Sequence, residues 1–357
     1  MIQDYGWSSA LQNTFAPFAA EGLEPARVVI QQRGPYRLVT QAGEADGHLT
    51  GRFEHAALPG DYPVTGDWVA CALRPGEEQA DIHAVLPRAS VFTRRAAGPG
   101  GGMQTIAANV DVAMLATSLN GDLNLRRLER YLATAYESGA DPVMLLTKSD
   151  ACDDVATAVA EVEAIAFGIP VLAVSARTGE GLEAVRDHLK PGRTAVLVGS
   201  SGVGKSTLVN ALAGEDLMAT QGIREDDARG RHTTTHRELI RLPSGALILD
   251  TPGMRELGLW EADAGLSATF ADVEALEEQC RFSDCAHGKE PGCAVRAALE
   301  DGRLGSDRWE GFQKLQRELA HEQRKVDPLA RQAARKLWIG RHKDARAWTK
   351  AKRGDFD

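Results

Sequence analysis

The stretch Gly199-Ser200-Ser201-Gly202-Val203-Gly204-Lys205-Ser206-Thr207 fits the pattern G-x-x-x-x-G-K-[ST]. Glycines at its bends let successive backbone N–H groups turn inward to face phosphate oxygens. The apolar run Ala195-Val196-Leu197-Val198 before it reads as a buried strand, and residues 206–213 after it read as a helix. The helix N-terminus brings partial positive charge to the same point. Lys205 is the residue to reach the outer phosphates, and the Ser206 hydroxyl suits Mg²⁺. A glycine-rich turn that matched by accident would need neither the strand nor the helix.

Further stretches point to the same ligand. Thr147-Lys148-Ser149-Asp150 ends an apolar run and resembles the guanine-reading [NT]-K-x-D element. A carboxylate at Asp150 accepts from guanine N1–H and its 2-amino group; adenine lacks that donor pair and leaves the carboxylate unpaired. Ser175-Ala176-Arg177 resembles the S-A-x element, whose backbone N–H meets the guanine carbonyl. Downstream, Asp250-Thr251-Pro252-Gly253 matches D-x-x-G, with Asp250 toward Mg²⁺ and the Gly253 N–H toward the γ-phosphate. Between them runs Arg231-His232-Thr233-Thr234-Thr235, where a threonine, taken as Thr234, completes the Mg²⁺ shell. Residues 222–230 beside it have the polar, glycine-containing character of a switch loop. The water-positioning Gln that follows D-x-x-G in Ras-type enzymes is replaced here by Met254, so turnover by the protein alone is expected to be slow. His232 is the nearest polar candidate to orient the attacking water.

The order of these elements is unusual. The usual order is phosphate loop, switch threonine, D-x-x-G, N-K-x-D, S-A-x; here the last two come first. Permutation moves only the termini, so the sheet can still form. One consequence is that the segment after Asp250 leads directly into the C-terminal region, so nucleotide state is expected to act there through a short tether. That region holds Cys280-x4-Cys285-x-His287-x5-Cys293, three thiolates and one imidazole suited to a closed tetrahedral Zn²⁺ site.

Composition sets the frame for these sites. The chain has 357 residues, 43% hydrophobic and 25% charged, which suits a globular protein of two or three domains. Five cysteines do not suggest a disulfide framework, and neither a signal peptide nor a membrane span is apparent, so a cytosolic protein is expected. The net charge of −9 argues against nucleic-acid binding overall, but residues 303–357 carry +7 and the rest −16. Residues 331–353 hold nine Lys and Arg against one acid, interleaved with Trp338 and Trp348; a solvated basic helix and an RNA-contacting one both fit.

Residues 1–25 read as an irregular arm. Five short strands are expected at 26–32, 36–40, 48–53, 67–73 and 81–86, which suits an OB-fold or an SH3-like barrel. Gly98-Pro99-Gly100-Gly101-Gly102 reads as a linker. Beyond it, strands at 110–116, 143–147 and 171–175 alternate with helices at 125–136 and 155–167, the pattern of a parallel doubly wound sheet. Helices are expected at 309–323 and 328–352.

The permuted order, the Arg231–Thr235 run, the N-terminal barrel and the cysteine–histidine knuckle together resemble the ribosome small-subunit-dependent GTPase A family of bacteria, over about residues 26–320. The resemblance implies a multi-domain chain: an arm and OB-fold β-barrel (1–97), a central α/β circularly permuted GTPase domain (98–262) and a C-terminal α-helical zinc-binding domain with a basic tail (263–357). It implies a slow GTPase that binds GTP and GDP, is stimulated by the small ribosomal subunit, contacts its rRNA and acts late in its maturation; a monomer is expected. A GTP-dependent rRNA-binding switch whose hydrolysis is incidental, and a P-loop ATPase, are the alternatives.

Overall fold

Ser8 marks the first departure from these expectations. Its side chain accepts from the Leu11 N–H and starts helix α1 (Ser9–Ala20), after a 3-10 turn at Ile2–Tyr5. The expected irregular arm is therefore helical, and it is held by burial: Ile2 and Phe15 join Trp68, Ala70 and Leu86 in one apolar cluster. The computed structural model describes residues 1–32, 34–58, 60–95, 103–218, 237–250 and 263–326. The chain divides into two units, Met1–Gly258 and Leu259–Asp357.

In the first unit, β1 (Glu24–Gln31), β2 (Tyr36–Val39), β3 (Glu44–Leu49), β4 (Trp68–Leu73) and β5 (Gln79–Val85) close into a barrel in the order β1-β2-β3-β5-β4-β1. β3 and β5 run parallel and the other pairs antiparallel. The strand expected at 48–53 stops at Leu49, because Thr50 accepts from the Phe53 N–H and caps helix α2 (Gly51–Ala56). Small side chains fill the interior: Ala26, Ala45 and Ala80 pack with Val28, Leu38, Val69 and Ile82. Gly47 has no room for more, since a Cβ there would lie 2.7 Å from Leu38 Cδ1.

β6 (Val91–Arg95) and β7 (Met103–Ala108) pair as an antiparallel hairpin. The glycine run expected as a linker falls between these paired strands and lies outside the described residues.

Strands and helices then alternate: β8 (Val112–Ser118), α3 (Leu125–Ser138), β9 (Asp141–Thr147), α4 (Val155–Glu163), β10 (Val171–Val174), α5 (Leu182–His188), β11 (Thr194–Gly199) and α6 (Lys205–Ala213), followed by β12 (Arg237–Arg241) and β13 (Leu247–Asp250). The order β10-β9-β8-β11-β13 is parallel throughout, with β12 antiparallel beyond it. β8 and β11 are buried along their whole length, as central strands covered on both faces must be. Alternate side chains enter two cores. Ala113 and Leu115 pack with Leu128, Leu132, Ala158 and Val162 of α3 and α4; Met114 and Ala116 pack with Leu182, Val185, Leu208 and Leu212 of α5 and α6. β12, absent from the sequence reading, pairs with β1 at Ile30↔Glu238 and Gln31↔Arg237, so barrel and parallel sheet form one continuous eleven-stranded sheet.

The second unit contains α7 (Asp263–Thr269), α8 (Ala271–Glu277), α9 (Ala294–Glu300) and α10 (Ser306–Val326). Phe270, Val273, Val295, Phe312 and Leu315 are among its buried apolar residues. Arg308 lies 4.1 Å over the Phe270 ring and 2.8 Å from Asp272, so its charge is neutralised where it is buried. The helix expected at 328–352 lies outside the described residues. No helix among the described residues is long and apolar enough to cross a membrane.

Candidate active site and metal centre

Thr147, Ser175, Gly199 and Asp250 stand at the carboxyl ends of β9, β10, β11 and β13, the edge where open α/β sheets bind ligands. The sheet thereby collects motifs that are far apart in the chain.

The phosphate loop runs from β11 into α6 through two left-handed glycines, Gly202 (φ 81°) and Gly204 (φ 98°). Gly199 is required for another reason: a Cβ would lie 2.5 Å from the Ala116 carbonyl of the neighbouring strand. Lys205 opens α6, and its Nζ donates to the carbonyls of Gly199 at 2.7 Å and Ser200 at 2.8 Å. The lysine is thus folded back over its own loop. Val203 packs inward, 1% exposed, and anchors the turn in the α5–α6 core. Ser201, Ser206 and Thr207 complete the loop and the first turn of the helix. Asp250 is half-buried at the end of β13, paired in register with Glu238.

The guanine-type motif is bonded to this loop. Thr147 Oγ1 donates to the Val203 carbonyl at 2.6 Å, and Lys148, left-handed at φ 57°, donates from Nζ to the Gly202 carbonyl at 2.7 Å. A cavity of about 290 Å³ opens between them, lined by Thr147, Lys148, Asp150, Ala176, Val203, Gly204 and Thr207. Ala151, Val174, Arg177 and Leu208 also line it. Asp150 accepts from the Ser175 hydroxyl and pairs with Arg177. The Ser175 hydrogen bond, with Arg177 adding to it, holds the Asp150 carboxyl below the usual carboxylate range. The cavity therefore offers an apolar slot with an ionised acceptor at one side. Ser149 and Ser175 do not line it. Ser175 is fully buried and acts on Asp150; the Ser149 hydroxyl is buried without a partner among the described residues. His232, Thr234 and Gly253 lie outside the described residues.

Residues 85–260 match the sequence profile of the family described as RsgA GTPase. The protein named small ribosomal subunit biogenesis GTPase RsgA from Opitutus terrae is 47% identical over 347 residues, covering 94% of this chain and 95% of that protein. The crystal structure of YjeQ from Thermotoga maritima matches with a TM-score of 0.64 at 28% identity, covering 83% of this chain and 98% of that one. A structure titled YloQ, a circularly permuted GTPase, shares the fold with a TM-score of 0.58 at 24% identity, covering 83% of this chain and 95% of that one. The chain belongs to the RsgA GTPase family.

As an RsgA GTPase the chain is an enzyme that hydrolyses GTP, which sets aside the ATPase alternative. The second unit carries the other site of this RsgA family member. Cys280, Cys285, His287 and Cys293 bring their ligand atoms within 4.8 Å of one another and form a group able to hold a metal ion. His287 Nδ1 lies 3.6 Å from both Cys280 Sγ and Cys293 Sγ. Bonds of about 2.0–2.3 Å in a tetrahedron place ligand atoms roughly 3.5–3.8 Å apart, so the donor set fits such an ion. His287 is left-handed, at φ 57°; its Nδ1 faces the sulfurs, while Nε2 sits 3.1 Å from Glu277 Oε1. A carboxylate on the outer nitrogen fixes the tautomer that leaves Nδ1 free to ligate. Cys293 also accepts from the Arg296 N–H at the start of α9, tying the cluster to a helix. Glu277 was invisible to spacing arguments because it precedes the cysteine pattern; only α8 brings it to the imidazole.

Proposed function

We propose that the chain hydrolyses GTP to GDP and phosphate slowly by itself, is accelerated by the small ribosomal subunit, and acts late in that subunit's maturation. The observation that carries this reading is the convergence of the guanine-type motif and the phosphate loop on one cavity, joined by the Lys148–Gly202 and Thr147–Val203 bonds. The name of the Opitutus terrae relative supports the ribosomal part.

In this reading Gly199, Ser200, Ser201, Gly202, Val203, Gly204, Lys205, Ser206 and Thr207 hold the phosphates. Thr147, Lys148, Ser149, Asp150, Ser175 and Ala176 form the guanine side, Ser149 and Ser175 by supporting it. Ser206, Thr234 and Asp250 hold Mg²⁺, which neutralises charge on the β- and γ-phosphates. Gly253 meets the γ-phosphate, and His232 orients water where Met254 cannot. The Cys280, Cys285, His287 and Cys293 group takes one structural Zn²⁺, the ion that three thiolates and an imidazole select. The strand order of the barrel, with β3 and β5 parallel, suits an OB-fold and an rRNA-facing role. The divisions at 97/98 and 262/263, a cytosolic monomer and a basic tail that meets rRNA phosphates belong to the same reading. A second reading, a GTP-dependent rRNA-binding switch with incidental hydrolysis, is favoured by Met254 in place of the water-positioning Gln.

The test is phosphate release from GTP with and without purified small subunits. Stimulation that Lys205→Ala abolishes supports the proposal; equal release in both conditions supports the switch reading.

A further inference from the structure

The segment between β8 and α3 belongs to none of the motifs, yet it reaches the phosphate loop. The Ser200 hydroxyl donates to Asp122 Oδ2 at 2.7 Å. Asp122 is itself held firmly. A terminal guanidinium nitrogen of Arg127 lies 2.9 Å from the same carboxylate oxygen and also donates to the Asp122 carbonyl. That carbonyl accepts from Thr117 Oγ1 at 2.9 Å as well, and Thr117 is fully buried at the end of β8. Arg127 is seated in turn by its own N–H, which donates to the Asn124 side chain capping α3.

A carboxylate bonded to a loop that receives a polyanion works against binding unless its charge is compensated or its positional contribution is larger. Arg127 supplies the compensation. The positional contribution follows from Ser200, which is gripped at two atoms: Asp122 takes its hydroxyl and Lys205 Nζ donates to its carbonyl at 2.8 Å. The carboxylate therefore fixes the peptide unit against which Lys205 rests. We propose that Asp122 is a positioning residue for the phosphate loop, acting through the Ser200 hydroxyl with Arg127 as its counter-ion. This inference rests on the phosphate-loop reading above.

The experiment is calorimetric titration of GDP and a non-hydrolysable GTP analogue into the full chain. Ser200→Ala removes one hydroxyl at a half-buried position and tests the contact should Asp122→Ala disturb the α3 cap. Each substitution is expected to weaken both nucleotides about ten-fold, the size of one charge-assisted hydrogen bond. The double variant should be no weaker than the weaker single, because both remove the same bond. Asp122→Asn keeps an acceptor for the hydroxyl and should bind within about three-fold of wild type or tighter, a rescue that general destabilisation would not give. Lys205→Ala keeps the two readings apart. If it binds like wild type, the phosphate-loop assignment itself fails. If it loses binding while Ser200→Ala binds like wild type, or the two losses add in the double variant, or Asp122→Asn is as weak as Asp122→Ala, the positioning role of Asp122 is overturned.

Discussion

Lys148 Nζ donates to the Gly202 carbonyl at 2.7 Å, joining the residue after β9 to the middle of the phosphate loop. The bond spans 54 positions of sequence and shapes the wall of the cavity between the two motifs. Lys148 itself sits in a left-handed conformation that lysine seldom adopts. Lys148→Ala should lower GTP and GDP affinity alike by about ten-fold, or about 1.4 kcal/mol, with little change in melting temperature. Fluorescent-nucleotide titration beside a thermal melt measures both.

Asp150 is kept ionised by Ser175 and Arg177, so GTP affinity should show no titration of this group near neutral pH, where ordinary carboxylates of pKa about 4 are already charged. The sign is that of a depressed carboxylate: the interaction is present above the unfolded pKa and fades only as pH falls through the lower folded value. Asp150→Asn replaces an acceptor with an amide and should weaken GTP by about a hundred-fold or more while improving tolerance of xanthine nucleotides. Equal competition by GTP and ATP against the wild type would contradict this.

Cys285→Ala should abolish metal uptake and unfold the second unit before the first, since a metal held by this group would contribute its binding free energy to folding of that unit. Elemental analysis of freshly purified protein should find one zinc per chain in the wild type and far less in the variant. A metal-free wild type would sink the assignment.

Arg27 is 2% exposed and donates to the carbonyls of Tyr5, Gly66 and Asn109 and to Thr194 Oγ1. Burial pushes its pKa down to about 10, opposed by the nearby Asp111 and Asp67 carboxylates, so the cost of its charge is present in full at neutral pH, where hydrogen bonds to these four acceptors also satisfy the guanidinium. Arg27→Met strands them and should cost about 3–5 kcal/mol, read as a lower urea midpoint. Thr194 begins β11, so the loss should reach the nucleotide site as well.

His232→Ala should keep GTP binding and subunit binding yet lose most of the subunit-stimulated turnover, since only the orientation of water is removed. If stimulated release survives at the wild-type level, an rRNA group or a bound cation takes that role instead.

The G-x-x-x-x-G-K-S pattern, the Thr147–Asp150 stretch and the cysteine–histidine spacing were legible in the residues alone, because each depends on residue types within one short run of chain. The alternation of buried strands with helices was legible for the same local reason, since apolar periodicity follows from which faces are covered. Other features were not. The 48–53 stretch looked extended, yet the Thr50 cap closed a helix that its weak periodicity did not announce. The glycine run looked like a boundary, but the residues on either side pair as a hairpin. β12 joins barrel to sheet through a two-residue register with β1, over 200 positions away. Asp122 and Glu277 have no motif, and the S-A-x element says nothing of the pairing of Arg177 with Asp150. Each matters only because β8 lies beside β11, β10 beside β9, and α8 beside the imidazole. Contacts of that kind are decided by strand order and helix packing, long-range properties that no window of sequence contains.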